Sequence, residues 1–127
     1  MITLDSKSKK SIYEQVVDGY KDTIASGQMQ AGEKLPSVRD LSRALTINPN
    51  TVQKAYRELE REGYIYTSSG LGSFVAKPED RPRDEGKIAE LSSVLQKTVT
   101  ELRHQGLSPA DITVLVRNLL TERGDTK

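Results

Sequence analysis

The chain has 127 residues, with 19 Lys and Arg against 18 Asp and Glu, and its formal net charge is +1. It has no cysteine and one histidine, His104, which excludes disulfides, thiolate ligands, cysteine nucleophiles and any site that needs two imidazoles. It also lacks an apolar run of about 18 residues and the apolar stretch of a signal peptide. We therefore predict a soluble cytoplasmic protein that needs no metal and no cofactor.

The composition changes at residues 77–86, KPEDRPRDEG, where prolines, a glycine and many charges leave little to bury. We predict a linker there. It separates residues 1–76 from residues 87–127, a C-terminal segment without aromatic residues.

The N-terminal segment predicts two helices before its midpoint. Ser11 and Glu14 have the spacing of a capping box, and apolar residues then recur every fourth position up to Ile24, so a helix should end at Gly27. Ser37, with Asp40 three residues later, predicts a second helix of about nine residues.

A third helix and a hairpin follow. Asn48 can cap the helix and Pro49 can occupy its first position, so the second and third helices are separated by a tight turn, as in a helix-turn-helix. Residues 64–68 and 73–76 are β-prone and flank a glycine-rich tip. Three helices and a hairpin predict a winged helix, so the fold class is mostly α with a small β-hairpin.

The C-terminal segment predicts a two-helix hairpin. One helix should run from about Gly86 to His104, and Ser108 with Asp111 predicts the start of the next. Such a hairpin buries too little surface to be stable alone and needs a partner surface, although the apolar stripe from Ile88 to Leu102 could instead line a ligand pocket at the dimer interface. The apolar residues concerned are Ile88, Leu91, Leu95, Val99, Leu102, Ile112, Leu115, Val116 and Leu119.

Positive charge is concentrated in the predicted helix-turn-helix, although the whole chain is nearly neutral. Residues 34–57 contain one acid, Asp40, and five cations, which are Lys34, Arg39, Arg43, Lys54 and Arg57. A local excess of cations is typical of nucleic-acid binding, because phosphate contacts supply much of the affinity. The alternative is an ordinary solvated helix surface.

The third helix begins with short polar residues that its apolar pattern leaves exposed. Asn50 and Gln53 can pair with adenine edges, and Thr51 can offer a hydroxyl or a methyl group. Asn48 and its neighbours could instead serve only as cap and turn residues. Likewise, the glycines of the hairpin tip suit either close approach to DNA or simply a turn. The carboxylates form no catalytic pair, and we predict no enzymatic activity.

Several motifs resemble the winged helix-turn-helix of GntR-type bacterial transcription regulators over residues 9–76. They are GEKLPSVRDL at 32–41, NPNTV at 48–52, AYRELE at 55–60, EGYI at 62–65 and GLGSFV at 70–75. The short helical tail further resembles the YtrA-like subfamily, in which the tail is a dimerisation element without a large effector domain.

The resemblance implies a homodimer that binds a palindromic operator on double-stranded DNA, usually as a repressor, often of its own operon and a linked ABC transporter. A small-molecule effector is possible but not indicated. The residues expected to contact DNA are Lys34, Ser37, Arg39, Asn48, Asn50, Thr51, Gln53, Lys54, Arg57, Ser69 and Gly70.

Two positions depart from the family pattern. Leu71 stands where the subfamily often has a basic residue, which weakens the expected electrostatic contact of the wing. Thr46 stands where the family commonly has glycine, and a left-handed backbone there would cost about 1–2 kcal/mol.

Two other functions remain open at this level. A winged helix can also be a protein-interaction module that lacks specific DNA binding. Related DNA-binding domains also occur fused to aminotransferase-like domains, but the sequence up to Lys127 leaves no room for one.

Overall fold

A computed structural model describes residues 2–124 of the chain. The chain divides into two compact units, Met1–Pro82 and Arg83–Lys127. No helix within the described range is long and apolar enough to cross a membrane.

The first unit contains the three predicted helices, α1 (Ile12–Ala25), α2 (Val38–Leu45) and α3 (Pro49–Arg61). Each begins at a side-chain cap. The Glu14 amide donates to Ser11 Oγ at 3.1 Å, and the Ser11 amide donates to Glu14 Oε1 at 2.9 Å, which completes the predicted capping box. Ser37 caps α2 by accepting from the Asp40 amide at 3.0 Å.

The hairpin consists of β1 (Ile65–Ser68) and β2 (Gly72–Val75), paired antiparallel from Ile65 opposite Val75 to Ser68 opposite Gly72. The segment before α2 extends this sheet. Lys34 forms a β-bridge to Phe74, and the Leu35 amide donates to the Ser73 carbonyl at 2.8 Å. The wing is therefore joined by backbone hydrogen bonds to the chain that leads into α2.

The core of the first unit lies between α1, α3 and the hairpin. It contains an edge-to-face pair of Tyr20 and Tyr56, whose ring centroids are 6.0 Å apart. The Tyr56 hydroxyl donates to the Pro36 carbonyl at 2.7 Å, which ties α3 to the segment before α2. Val16, Val52 and Leu59 are completely buried, so the three-helix packing leaves no apolar face of α3 uncovered.

Thr46, which ends α2, adopts the left-handed conformation, with φ 56° and ψ 53°. It is the one non-glycine residue with positive φ among those described. The backbone at Thr46 is therefore left-handed, which is the case in which the sequence predicts strain. The β-branched side chain lowers the stability of this turn by about 1–2 kcal/mol.

The second unit consists of α4 (Glu85–His104) and α5 (Pro109–Gly124). The Asp84 carboxylate caps α4 by accepting from the Lys87 amide at 3.0 Å, and Ser108 with Asp111 forms the second capping box. Of the apolar residues predicted to meet a partner surface, Ile112 is only 8% exposed in the single chain. It has little area left for a partner, in contrast to the exposed leucines of both helices.

The segment predicted as a linker, residues 77–86, is partly structured. It contains a 3-10 turn, Pro78–Asp80, and the first residues of α4. The guanidinium of Arg81 lies 4.7 Å from the centre of the Tyr64 ring, and its Nη1 is buried without a hydrogen-bond acceptor among the described residues. Charge density predicts solvent exposure here, but stacking on an aromatic ring holds this part of the segment against the first unit.

Candidate nucleic-acid interface

One face of α3 is buried and the other is polar and exposed. Val52, Ala55, Tyr56 and Leu59 pack into the core. Between them, the side chains of Asn50, Gln53, Lys54 and Arg57 are exposed, and Thr51 is half-buried. The helix therefore presents amide, hydroxyl and cationic groups along one continuous face.

Asn48 is engaged in the cap of α3. Its Oδ1 accepts a hydrogen bond from the Asn50 amide at 2.8 Å. Its side-chain nitrogen is the group that remains for an outside partner, because the oxygen serves the helix N-terminus.

Some cations of the first unit are paired with carboxylates, whereas those of residues 34–57 are not paired with any residue that the structure describes. Lys10, Lys21 and Arg61 each lie within ion-pair distance of a carboxylate. Five others, which are exposed, form no ion pair with any residue in the described range; they are Lys34, Arg39, Arg43, Lys54 and Arg57. Their charge is available to an anionic partner.

Charged side chains at the C-terminal end of α3 are paired with groups of opposite charge. Arg61 hydrogen-bonds to Glu58, with its Nε 3.0 Å from Glu58 Oε1, and this contact lowers the pKa of Glu58 to about 2. Glu62 pairs with Lys21 at 2.7 Å. The uncompensated positive charge therefore belongs to the N-terminal and middle turns of α3.

Two surface clefts bring predicted contact residues together. An open groove of about 660 Å³ runs beside α3 and is lined by Tyr13, Thr51, Lys54, Arg57, Glu58 and Arg61. A second cleft, of about 380 Å³, lies between the start of α2 and the wing, and its lining includes Lys34, Ser37 and Gly70. We call these the α3 groove and the wing cleft.

The remaining predicted residues are exposed outside these two clefts. Arg39 lies on the first turn of α2, and Ser69 lies at the tip of the wing. Arg43 belongs to the same set of free cations, although the predicted contact set omits it. The sequence could have identified Arg43 as a candidate contact, because it is one of the five cations of residues 34–57.

The wing itself carries no charge, although several of its residues have hydroxyl groups. Leu71, at its tip, is 63% exposed, and Tyr66 stacks on Phe74 with ring centroids 5.6 Å apart. No charged residue occurs between Ile65 and Val75. The wing therefore offers shape and backbone groups, while charge must come from neighbouring segments.

The chain matches the family model for bacterial regulatory proteins of the gntR family over residues 12–75. It is 39% identical over 107 residues to the HTH-type transcriptional repressor YtrA of Bacillus subtilis (strain 168), which covers 84% of this chain and 82% of that protein.

Two solved structures resemble this chain over part of its length. YtrA from Sulfolobus acidocaldarius, a GntR-family transcription factor, aligns with a TM-score of 0.58 and 32% identity, over 78% of this chain and 97% of its own. The AraR DNA-binding domain in complex with operator ORE1 aligns with a TM-score of 0.51 and 28% identity, over 60% of this chain and 93% of its own.

The matches agree with the motifs at 32–41, 48–52 and 70–75, and they confirm the predicted winged helix-turn-helix and the predicted non-enzymatic function. The chain belongs to the GntR family of bacterial regulatory proteins, as a YtrA-like, DNA-binding transcription regulator.

Proposed function

We propose that the protein represses transcription as a homodimer bound to a palindromic operator on double-stranded DNA. The observation that carries this proposal is the set of exposed cations without ion-pair partners beside the polar N-terminal face of α3. A helix with this composition fits the major groove, where amide and hydroxyl groups meet base edges and cations meet phosphates.

The contacts divide by chemistry. Asn50, Thr51 and Gln53 read base edges from α3, because their short polar groups follow one another on its exposed face. Asn48 contributes its side-chain nitrogen. The remaining proposed contacts are with the DNA backbone, and they come from Lys34, Ser37, Arg39, Lys54, Arg57, Ser69 and Gly70.

The second unit holds the dimer. It presents more apolar surface than a solvated helical hairpin tolerates, since Leu91, Leu95 and Leu119 are each 55–57% exposed. A second copy of the same hairpin is the partner that covers these side chains symmetrically. The proposed interface consists of Ile88, Leu91, Leu95, Val99, Leu102, Leu115, Val116 and Leu119, and leaves out the already buried Ile112.

Two-fold symmetry then dictates the operator. Each α3 reads one half-site, with the two half-sites about one helical turn, or roughly 34 Å, apart. We place this operator upstream of the protein's own operon, as the YtrA-like resemblance implies. Regulation takes place in the cytoplasm, where that DNA lies, and no described residue cluster calls for a cofactor.

The test is fluorescence anisotropy of the purified protein on a duplex from its own upstream region and on a scrambled duplex, over a salt series. We expect at least about a thousandfold preference for the native duplex and a steep salt slope. Arg39→Ala should weaken binding to both duplexes equally, whereas Asn50→Ala should reduce the preference itself. Binding that is weak and equal on both duplexes, and that footprinting across the operon does not improve, contradicts the proposal.

A further inference from the structure

The Lys34 side chain crosses the wing directly over the backbone of Gly72. Gly72, the first residue of β2, has φ 117°, and a Cβ atom placed there would lie 2.9 Å from Lys34 Cε. Real Cβ atoms essentially never approach a neighbour so closely, so the far end of the flexible Lys34 side chain would move aside at little cost. The missing side chain of Gly72 therefore provides the space in which Lys34 lies.

Backbone hydrogen bonds hold the Cα atom of Lys34 beside β2. Hydrogen bonds on both sides of Lys34 join its segment to β2: the Leu35 amide donates to the Ser73 carbonyl at 2.8 Å, and the Val75 amide donates to the Glu33 carbonyl at 2.8 Å. Although Lys34 precedes α2 in sequence, it belongs structurally to the sheet of the wing.

Lys34 supplies positive charge beside a wing that has none of its own. The hairpin from Ile65 to Val75 carries no charged residue, and the large side chain exposed at its tip is that of Leu71. Lys34 is exposed and lines the wing cleft together with Gly70 and Ser37. Its ammonium group therefore lies against the wing and has no carboxylate partner among the described residues.

We infer that Lys34 is the phosphate-binding cation of the wing, and that Gly72 is a positioning residue whose missing side chain leaves room for Lys34 in the wing cleft. The ligand is a backbone phosphate beside the groove that the wing enters. The inference rests on the proposed function for the identity of that ligand. It assigns Lys34 to the wing contact rather than to the helix-turn-helix.

A competing explanation is that Gly72 is glycine only because its φ is positive. Gly32 separates the two explanations, since it also has a positive φ, 91°, but no atom lies within 4 Å of a Cβ placed there. Gly32→Ala therefore also places a side chain on a backbone of positive φ, but without displacing Lys34.

The experiment is anisotropy over a salt series with Lys34→Met, Gly72→Ala, the double variant, Gly32→Ala and Lys34→Arg. Loss of one phosphate contact should lower the salt slope by about 0.9, which at 0.1 M salt is a roughly eightfold rise in Kd. We expect this loss for Lys34→Met, most of it for Gly72→Ala, and no further loss in the double variant. Lys34→Arg and Gly32→Ala should keep the wild-type slope.

Two results would overturn the inference. One is an unchanged slope for Lys34→Met; the other is additive losses in the double variant, which would mean that Gly72 acts without Lys34. Thermal unfolding followed by tyrosine fluorescence checks that each variant is folded. A wild-type protein without preference for any operator would contradict the proposed function, but its slope on random DNA would still test Lys34.

Discussion

The two units of the chain differ in how much of their apolar surface they bury. In the first unit, Val16, Val52, Ala55 and Leu59 are completely buried. In the second unit, α4 has no buried residue, and side chains such as Leu120 are up to 71% exposed. The first unit thus closes its core within one chain, whereas the second leaves apolar side chains exposed, which the proposed dimer would cover.

The largest expected effect is the loss of the proposed dimer. Leu95→Glu places a carboxylate on the exposed apolar stripe of α4, and desolvating it in a dimer costs several kcal/mol. The dimer Kd should rise at least about a hundredfold, which is roughly 3 kcal/mol. Light scattering after gel filtration should then give the mass of one chain, 14.1 kDa.

Ser93→Glu is the matched control, because it adds the same charge on the opposite side of α4. It should leave the dimer intact. If the two variants had the same mass as the wild type, the dimer would not be held by this face of α4.

An effect of similar size tests whether the first unit is complete by itself. Leu59→Ala opens a cavity at a completely buried position and should lower the free energy of unfolding by about 3 kcal/mol. Urea unfolding followed by tyrosine fluorescence reports this unit alone, because all five tyrosines lie between Tyr13 and Tyr66. Leu120→Ala, in the other unit, should leave this transition within about 0.5 kcal/mol of the wild type. Equal shifts would mean that the two units unfold as one.

The smallest effect concerns pH. Burial, together with the neighbouring Tyr20, raises the pKa of Tyr56 well above its ordinary value. The neutral phenol is favoured in the folded state, so this stability is fully present below about pH 10 and is lost as the pH rises further. Tyr56→Phe should cost about 1 kcal/mol at pH 7, through the lost hydrogen bond to Pro36, and should flatten the decline above pH 10.

The control for this measurement is Tyr66→Phe, an exposed tyrosine of the wing. Urea midpoints between pH 7 and pH 11 should follow the wild type in this variant. A decline above pH 10 as steep in Tyr56→Phe as in the wild type would assign the alkaline loss to another group.

Local signals predicted the elements well because their chemistry lies within a few residues. The caps at Ser11 and Asn48 and the helix-turn-helix motifs could be read directly from the sequence. The bridge from Lys34 to Phe74 could not be predicted, since its partners are distant in sequence and neither carries a pairing signal. For the same reason, the sequence could identify Lys34 as a free cation but not as a part of the wing.

The outcome of two further predictions, at Thr46 and Ile112, could be decided only from the structure. Thr46 could be marked only as a conditional cost, because the turn conformation decides whether a β-branched residue is strained. The stripe of the second unit included Ile112, since periodicity shows which residues are apolar but not which of them the chain buries itself. The division of the chain at residues 77–86 and the proposed contacts with DNA and with a second copy remain predictions.

The stacking of Arg81 on Tyr64 limits the length of the tether between the two units. The first unit extends to Pro82, and α4 begins at Glu85, so only Arg83 and Asp84 intervene. Three Cα-to-Cα steps span at most about 11 Å, which is roughly the rise of three base pairs. In the proposed dimer, which is held by its second units, we expect this short reach to restrict the choice of operators by their spacer length as well as by their sequence.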